Sequence, residues 1–140
     1  MNSTLAQSMT PPINEPYMNP RQLEYFQTRL LKWRADLIET NRLSLVCMTN
    51  RDMPPIEEIE RSVQAADLEI VLKNQARNTG LIRMIDQALE RIKYGTYGYC
   101  QHTDEPIGFE RLDANPVAQF CLNVQSEFEQ RGHGICSVMA

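Results

Sequence analysis

Apolar side chains recur along the first half of the chain at helical spacing. Leu23, Phe26, Leu30, Trp33 and Leu37 follow at steps of 3-4-3-4, the stripe of a helix that packs against a second helix. Asn19 offers a capping side chain and Pro20 suits the first helical position. A helix is therefore predicted from about Pro20 to about Thr49. Its stripe weakens at Thr40 and Ser44 and resumes loosely with Leu45 and Met48. Asn50-Arg51-Asp52-Met53-Pro54-Pro55 then breaks it, since adjacent prolines remove backbone donors and restrict the residues before them.

A second helical pattern runs from about Ile56 to Tyr94. Ile56, Ile59, Val63, Ala66 and Ile70 form one stripe, and Ile82, Ile85, Leu89 and Ile92 form another. Between them Lys73 to Gly80 is polar and out of phase. At ~1.5 Å per residue the two helices would be about 45 Å and about 55 Å long. Two such helices joined by a Pro-Pro turn predict an antiparallel coiled-coil hairpin over residues 17–95 whose tip, residues 50–62, projects into solvent.

The rest is less regular. Residues 1–16 read as a flexible lead, with Pro11, Pro12 and Pro16 among polar residues. Gly95 and Gly98 bend the chain after the second helix. Residues 96–131 read as a small irregular module followed by a last helix from Pro116 to about Gln130, and residues 132–140 as a tail. The fold class expected is mainly α, a long hairpin projecting from a small globular module.

The 140 residues carry 14 basic and 18 acidic side chains, a net charge of −4. Lys and Arg are scattered among carboxylates, so direct DNA binding is disfavoured, whereas a basic cleft on a larger protein suits this charge. Hydrophobic residues make up 42% and aromatics 7%, enough for a lean core. No apolar run approaches a membrane span, and no signal peptide is readable at Met1-Asn2-Ser3-Thr4, so a cytoplasmic chain is expected.

The four cysteines are Cys47, Cys100, Cys121 and Cys136. Cys100 and Cys121 begin two segments with the outline of Cys-x2-Cys pairs, but Thr103 and Val124 stand where the second members belong. Two thiolates alone make a poor tetrahedral site. Three readings stay open: metal-free neighbours in a packed core, a rescued site using His102 or Asp104, and a reversible Cys100–Cys121 disulfide.

Tyr17-Met18-Asn19, Gln22-Leu23, Phe26 and Trp33-Arg34 resemble the opening of the DksA/TraR family. So do Leu72-Lys73-Asn74, Leu81-Ile82, Tyr97-Gly98-Tyr99-Cys100, Ile107-Gly108, Arg111-Leu112 and Pro116. The resemblance covers about residues 17–131 and implies a hairpin that enters the secondary channel of bacterial RNA polymerase and retunes initiation without touching DNA. Cysteine-poor paralogues in that family fold without zinc, and this chain resembles one.

Where the family tip carries Asp-x-x-Asp-x-Ala, this chain has Glu57, Glu60 and Ser62. Charge is kept, but each carboxylate stands one methylene further out, a change that alters strength in a tight channel. The bland alternative is that these acids merely complement the start of the second helix. Lys73, Asn74 and Arg77 are expected to face the polymerase. The family's three (p)ppGpp cations correspond to Met84, Asn115 and Gln125, and none carries charge. A strong (p)ppGpp site is therefore not expected, because phosphates need charge-assisted donors.

Enzyme chemistry finds no nucleophile motif or phosphate loop, and the two histidines, His102 and His133, lie in turn-rich surroundings. The expectation is a monomeric, zinc-independent regulator with RNA polymerase as partner and no cofactor. Its rivals are a passive channel competitor, a module for another partner, and a Cys100/Cys121 thiol sensor.

Overall fold

The computed structural model describes residues 14–49 and 57–132. The Pro-Pro turn, Ile56, Cys136, most of the lead and the tail after Gly132 lie outside the described residues. Among the described residues four helices follow in order: α1 Pro20–Thr49, α2 Glu58–Tyr94, α3 Phe109–Ala114 and α4 Leu122–Gln130.

The start of α1 is held by a reciprocal cap. Asn19 Oδ1 accepts the Gln22 N–H at 2.8 Å, while Gln22 Oε1 accepts the Met18 N–H at 2.8 Å. Gln22 is consequently buried with its amide oxygen satisfied. At the far end of α2, Gly95 adopts φ 76 and donates its N–H to the carbonyls of Arg91 and Ile92, a left-handed stop that a side chain would strain. Gly98 is needed for space as well, since a Cβ there would stand 2.7 Å from Met18 Cγ.

α1 and α2 run antiparallel. As α1 advances from Arg34 to Asn41, its partner on α2 recedes from Asp86 to Asn78. The core sits at the base of this hairpin, where Phe26, Leu30, Ile85 and Ala88 meet Tyr97, Cys100, Ile107, Leu112, Val117, Ala118, Cys121 and Val124. Tyr17 ties the entry of α1 to the module: its hydroxyl donates to the Gly98 carbonyl and accepts the Gly108 N–H at 3.0 Å. Tyr97 lies in the core and donates to the Pro116 carbonyl at 2.7 Å.

Two expectations are corrected. The last helix begins at Leu122, not at Pro116. Residues 116–118 are buried, the Gln119 carbonyl accepts the Gln101 N–H at 2.9 Å, and Cys121 is extended. The segment is thus stitched to the Cys100 turn and is unavailable to a helix, while α3 forms upstream.

The second correction concerns the distal stripe. Ile59, Val63 and Ile70 are 74%, 56% and 58% exposed, and Ala66 is exposed too. Instead Gln64, Asp67, Val71, Gln75 and Asn78 are half-buried, along with Leu37, Asn41, Ser44 and Met48 of α1. The apolar cluster at the base fixes the phase of α2. Carried outward in steps of three and four, that phase lands one residue away from the distal isoleucines, a rotation of about 100°. On distal α2 the seam is therefore polar except for Val71, and an apolar stripe lies exposed beside it.

Candidate functional site

The two candidate regions stand at opposite ends of the hairpin. At the distal end Glu57 is the N-cap of α2 in extended conformation, and Glu58 and Glu60 fall in its first turn. Glu57, Glu60 and Ser62 are all exposed. Ser62 donates its hydroxyl to the Glu58 carbonyl at 3.2 Å, an ordinary back-bond along the helix. The carboxylates complement the helix dipole where they stand, and their exposure leaves them able to meet another surface.

Along α2, Lys73, Asn74 and Arg77 are exposed. Lys73 pairs with Glu69 at 3.0 Å, but both side chains are mostly solvated, so the pair adds little stability. Met84 packs partly buried against the base core, which explains an apolar residue there. Asn115 caps the C-terminus of α3, its N–H donating to the Arg111 carbonyl. Gln125 donates to Glu129 at 3.0 Å. None of the three offers a cation.

At the base, the structure brings Cys100, Thr103 and Cys121 together and buries Val124 in the same core. Thr103 Oγ1 lies 3.9 Å from Cys121 Sγ. Burial works against ionisation of the Cys100 thiol. Hydrogen bonds from the Thr103 hydroxyl and from backbone N–H groups of Cys121, His102 and Thr103 outweigh it and lower the thiol to about 7. Cys100 and Cys121 are free and buried, whereas Cys47 is free and exposed.

A structural zinc takes four sulfur or nitrogen donors in a tetrahedron. The four positions here supply two thiols, one hydroxyl and one hydrocarbon, so they do not fit that ion. His102 sets its ring edge-on to Phe128 at 6.1 Å. Among the described residues no three His, Cys, Asp or Glu gather in a group that could hold a metal.

The sequence brings out the thiol pair, which the structure draws together, but it hides two features. Spacing alone presents Thr103 as a lost ligand, although a hydroxyl beside two cysteines signals a donor to sulfur. Asn41 is hidden in the sequence because the stripe of apolar residues passes it by. Counting from Leu37 by four, three and four reaches Asn41, Ser44 and Met48.

Comparison with known proteins adds independent findings. Residues 22–92 match the family model of the DnaK suppressor protein DksA, N-terminal domain. Residues 95–130 match that of the prokaryotic dksA/traR C4-type zinc finger, here with two of the four cysteines. The RNA polymerase-binding transcription factor DksA of Caulobacter vibrioides (strain NA1000 / CB15N) is 37% identical over 121 residues, 86% of this chain and 85% of that protein. The protein of the same description from Escherichia coli (strain K12) is 29% identical over 117 residues, 84% of this chain and 78% of its own length. The solved structure of transcription factor DksA2 from Pseudomonas aeruginosa superposes with a TM-score of 0.77 at 29% identity, covering 90% of this chain and 95% of that one. Among the described residues no helix is long and apolar enough to cross a membrane.

Proposed function

The chain belongs to the DksA/TraR family, and on that premise we propose that it regulates transcription by binding bacterial RNA polymerase at the secondary channel. The observation that carries this reading is the span of the match. It covers hairpin and finger module alike, residues 22–92 and 95–130, and the relatives so matched are named RNA polymerase-binding factors. The module, residues 96–131, docks on the channel rim, and the hairpin, residues 17–95, extends inward. Glu57, Glu60 and Ser62 act at the tip, and Lys73, Asn74 and Arg77 face the polymerase. A net charge of −4 supports action without DNA contact, and the exposed outer stripe of Ile59, Val63 and Ile70 supports contact with a protein surface.

The factor works as a cytoplasmic monomer without turning over substrate. It is a zinc-independent member of its family, because apolar packing around Val124 and the Thr103 bond to sulfur take the place of the missing ligands. Its response to (p)ppGpp is weak or absent, since Met84, Asn115 and Gln125 supply no charged donor to phosphate.

Capture of purified RNA polymerase by the immobilised chain tests the reading. Retention of polymerase is expected, and absence of retention overturns it. A second reading, a thiol sensor, is favoured by the Cys100–Thr103–Cys121 cluster. Mass spectrometry after mild oxidant separates the two. A Cys100–Cys121 linkage that alters transcription supports the sensor, and unchanged thiols exclude it.

A further inference from the structure

The distal hairpin stores two incompatible patterns on one helix. In the observed packing Gln64, Asp67, Gln75 and Asn78 line the seam with Val71, and Ile59, Val63 and Ile70 are exposed. Turning distal α2 by one residue, about 100°, would bury the isoleucine stripe and expose the polar one. Apolar burial alone favours that rotated state, at roughly 25 cal/mol per Å² covered. Something on the seam must oppose it.

The opposing groups converge on Asn41. Its side-chain oxygen accepts the Asn78 Nδ2 hydrogen bond at 3.0 Å, and its backbone carbonyl accepts Gln75 Nε2 at 3.5 Å. Gln75 and Asn78 are three residues apart, so one turn of α2 grips one residue of α1. All three side chains are half-buried. A neutral amide pair at a coiled-coil seam selects alignment, because any other phase leaves a half-buried amide without its partner. The base core starts this phase but does not by itself hold it far from the base. Its last fully buried layer towards the tip on α1 is Leu30.

We infer that the Asn41–Asn78 pair, with Gln75 on the Asn41 carbonyl, is a phase lock that holds the distal stripe outward and aims Glu57 and Glu60. The pair is a positioning element. Its consequence for transcription rests on the reading of the tip as the acting end, while the phase itself does not.

Pulsed alkylation with peptide mass spectrometry reads the phase in the full chain. Val63→Cys and Gln64→Cys are introduced separately, with the exposed Cys47 as internal standard. In the otherwise native chain Val63→Cys is expected to label several-fold faster than Gln64→Cys. Adding Asn78→Ala, which removes the donor to Asn41 without placing a large apolar group on the seam, is expected to bring the ratio towards parity or invert it. The double change Asn41→Leu and Asn78→Leu, a matched apolar layer, is expected to restore it. Circular dichroism identifies any variant that fails to fold, and Asn41→Ala then serves as the alternative single change. An unaltered ratio in the folded single variants overturns the lock. In transcription, Asn78→Ala is expected to retain polymerase binding and lose its effect. If Glu57→Ala with Glu60→Ala leaves transcription unchanged, the tip reading falls, and the labelling ratio still decides the lock.

Discussion

At the base of the hairpin Phe26, Leu30, Ile85 and Ala88 are 0% exposed, whereas near the tip Ile59 of the same pair of helices is 74% exposed. The base solves the folding problem. It gathers apolar groups from both helices and the module, and tethers them through Tyr17 and Tyr97. The distal half runs on the phase that the base imposes, with Asn41, Gln75 and Asn78 half-buried and Ile59, Val63 and Ile70 exposed. The difference teaches that one hairpin carries two kinds of information, a stability signal at one end and a surface at the other.

The largest test of this contrast is Phe26→Ala. Losing a fully buried ring from the base should cost about 3–5 kcal/mol in urea unfolding. A cost near that of a surface change would dissolve the distinction. Tyr17→Phe comes next. It strips the hydroxyl that links Gly98 and Gly108 and should cost about 1–3 kcal/mol, read as a lower urea midpoint.

The thiol cluster sharpens the comparison through pH. The Cys100 thiol stands at about 7 in the folded chain, against an ordinary value of 9.0. Between these values the unfolded chain binds more protons, so stability rises from about pH 7 to about pH 9 and this gain is lost as pH falls through 7. Replacing Cys100 with Ala should flatten that rise in denaturation curves taken across the interval. At the small end, Val63→Ala should shift stability by no more than about 0.5 kcal/mol, because the side chain is 56% exposed. A shift as large as that of Phe26→Ala would place Val63 in a seam.

Much of the fold was legible because its signals are local. Asn19-Pro20, the heptad steps through Leu37, the prolines after Thr49 and the glycines after Tyr94 each act within a few residues, and α1 and the end of α2 fall where they indicate. The phase of the distal seam was not legible. It is set by the base core many residues away, and apolar spacing at Ile59, Val63 and Ile70 pointed to the wrong face. The start of α4 was hidden for a similar reason, since the Gln101 bond to Gln119 is a contact across the module. At the site, motif order singles out Glu57, Glu60 and Ser62 as candidates. The role of Thr103 emerges only when the thiols are seen around it.

The central claim is that this chain acts on RNA polymerase through an exposed acidic tip. In vitro transcription with purified polymerase tests it most directly, comparing the native chain with the Glu57→Ala, Glu60→Ala double variant, each with and without (p)ppGpp. The account predicts that the native chain changes transcript yield to a similar extent with and without the nucleotide, and that the double variant still binds polymerase but loses the effect. A native chain that leaves transcription unchanged, or a double variant as effective as the native chain, would contradict it.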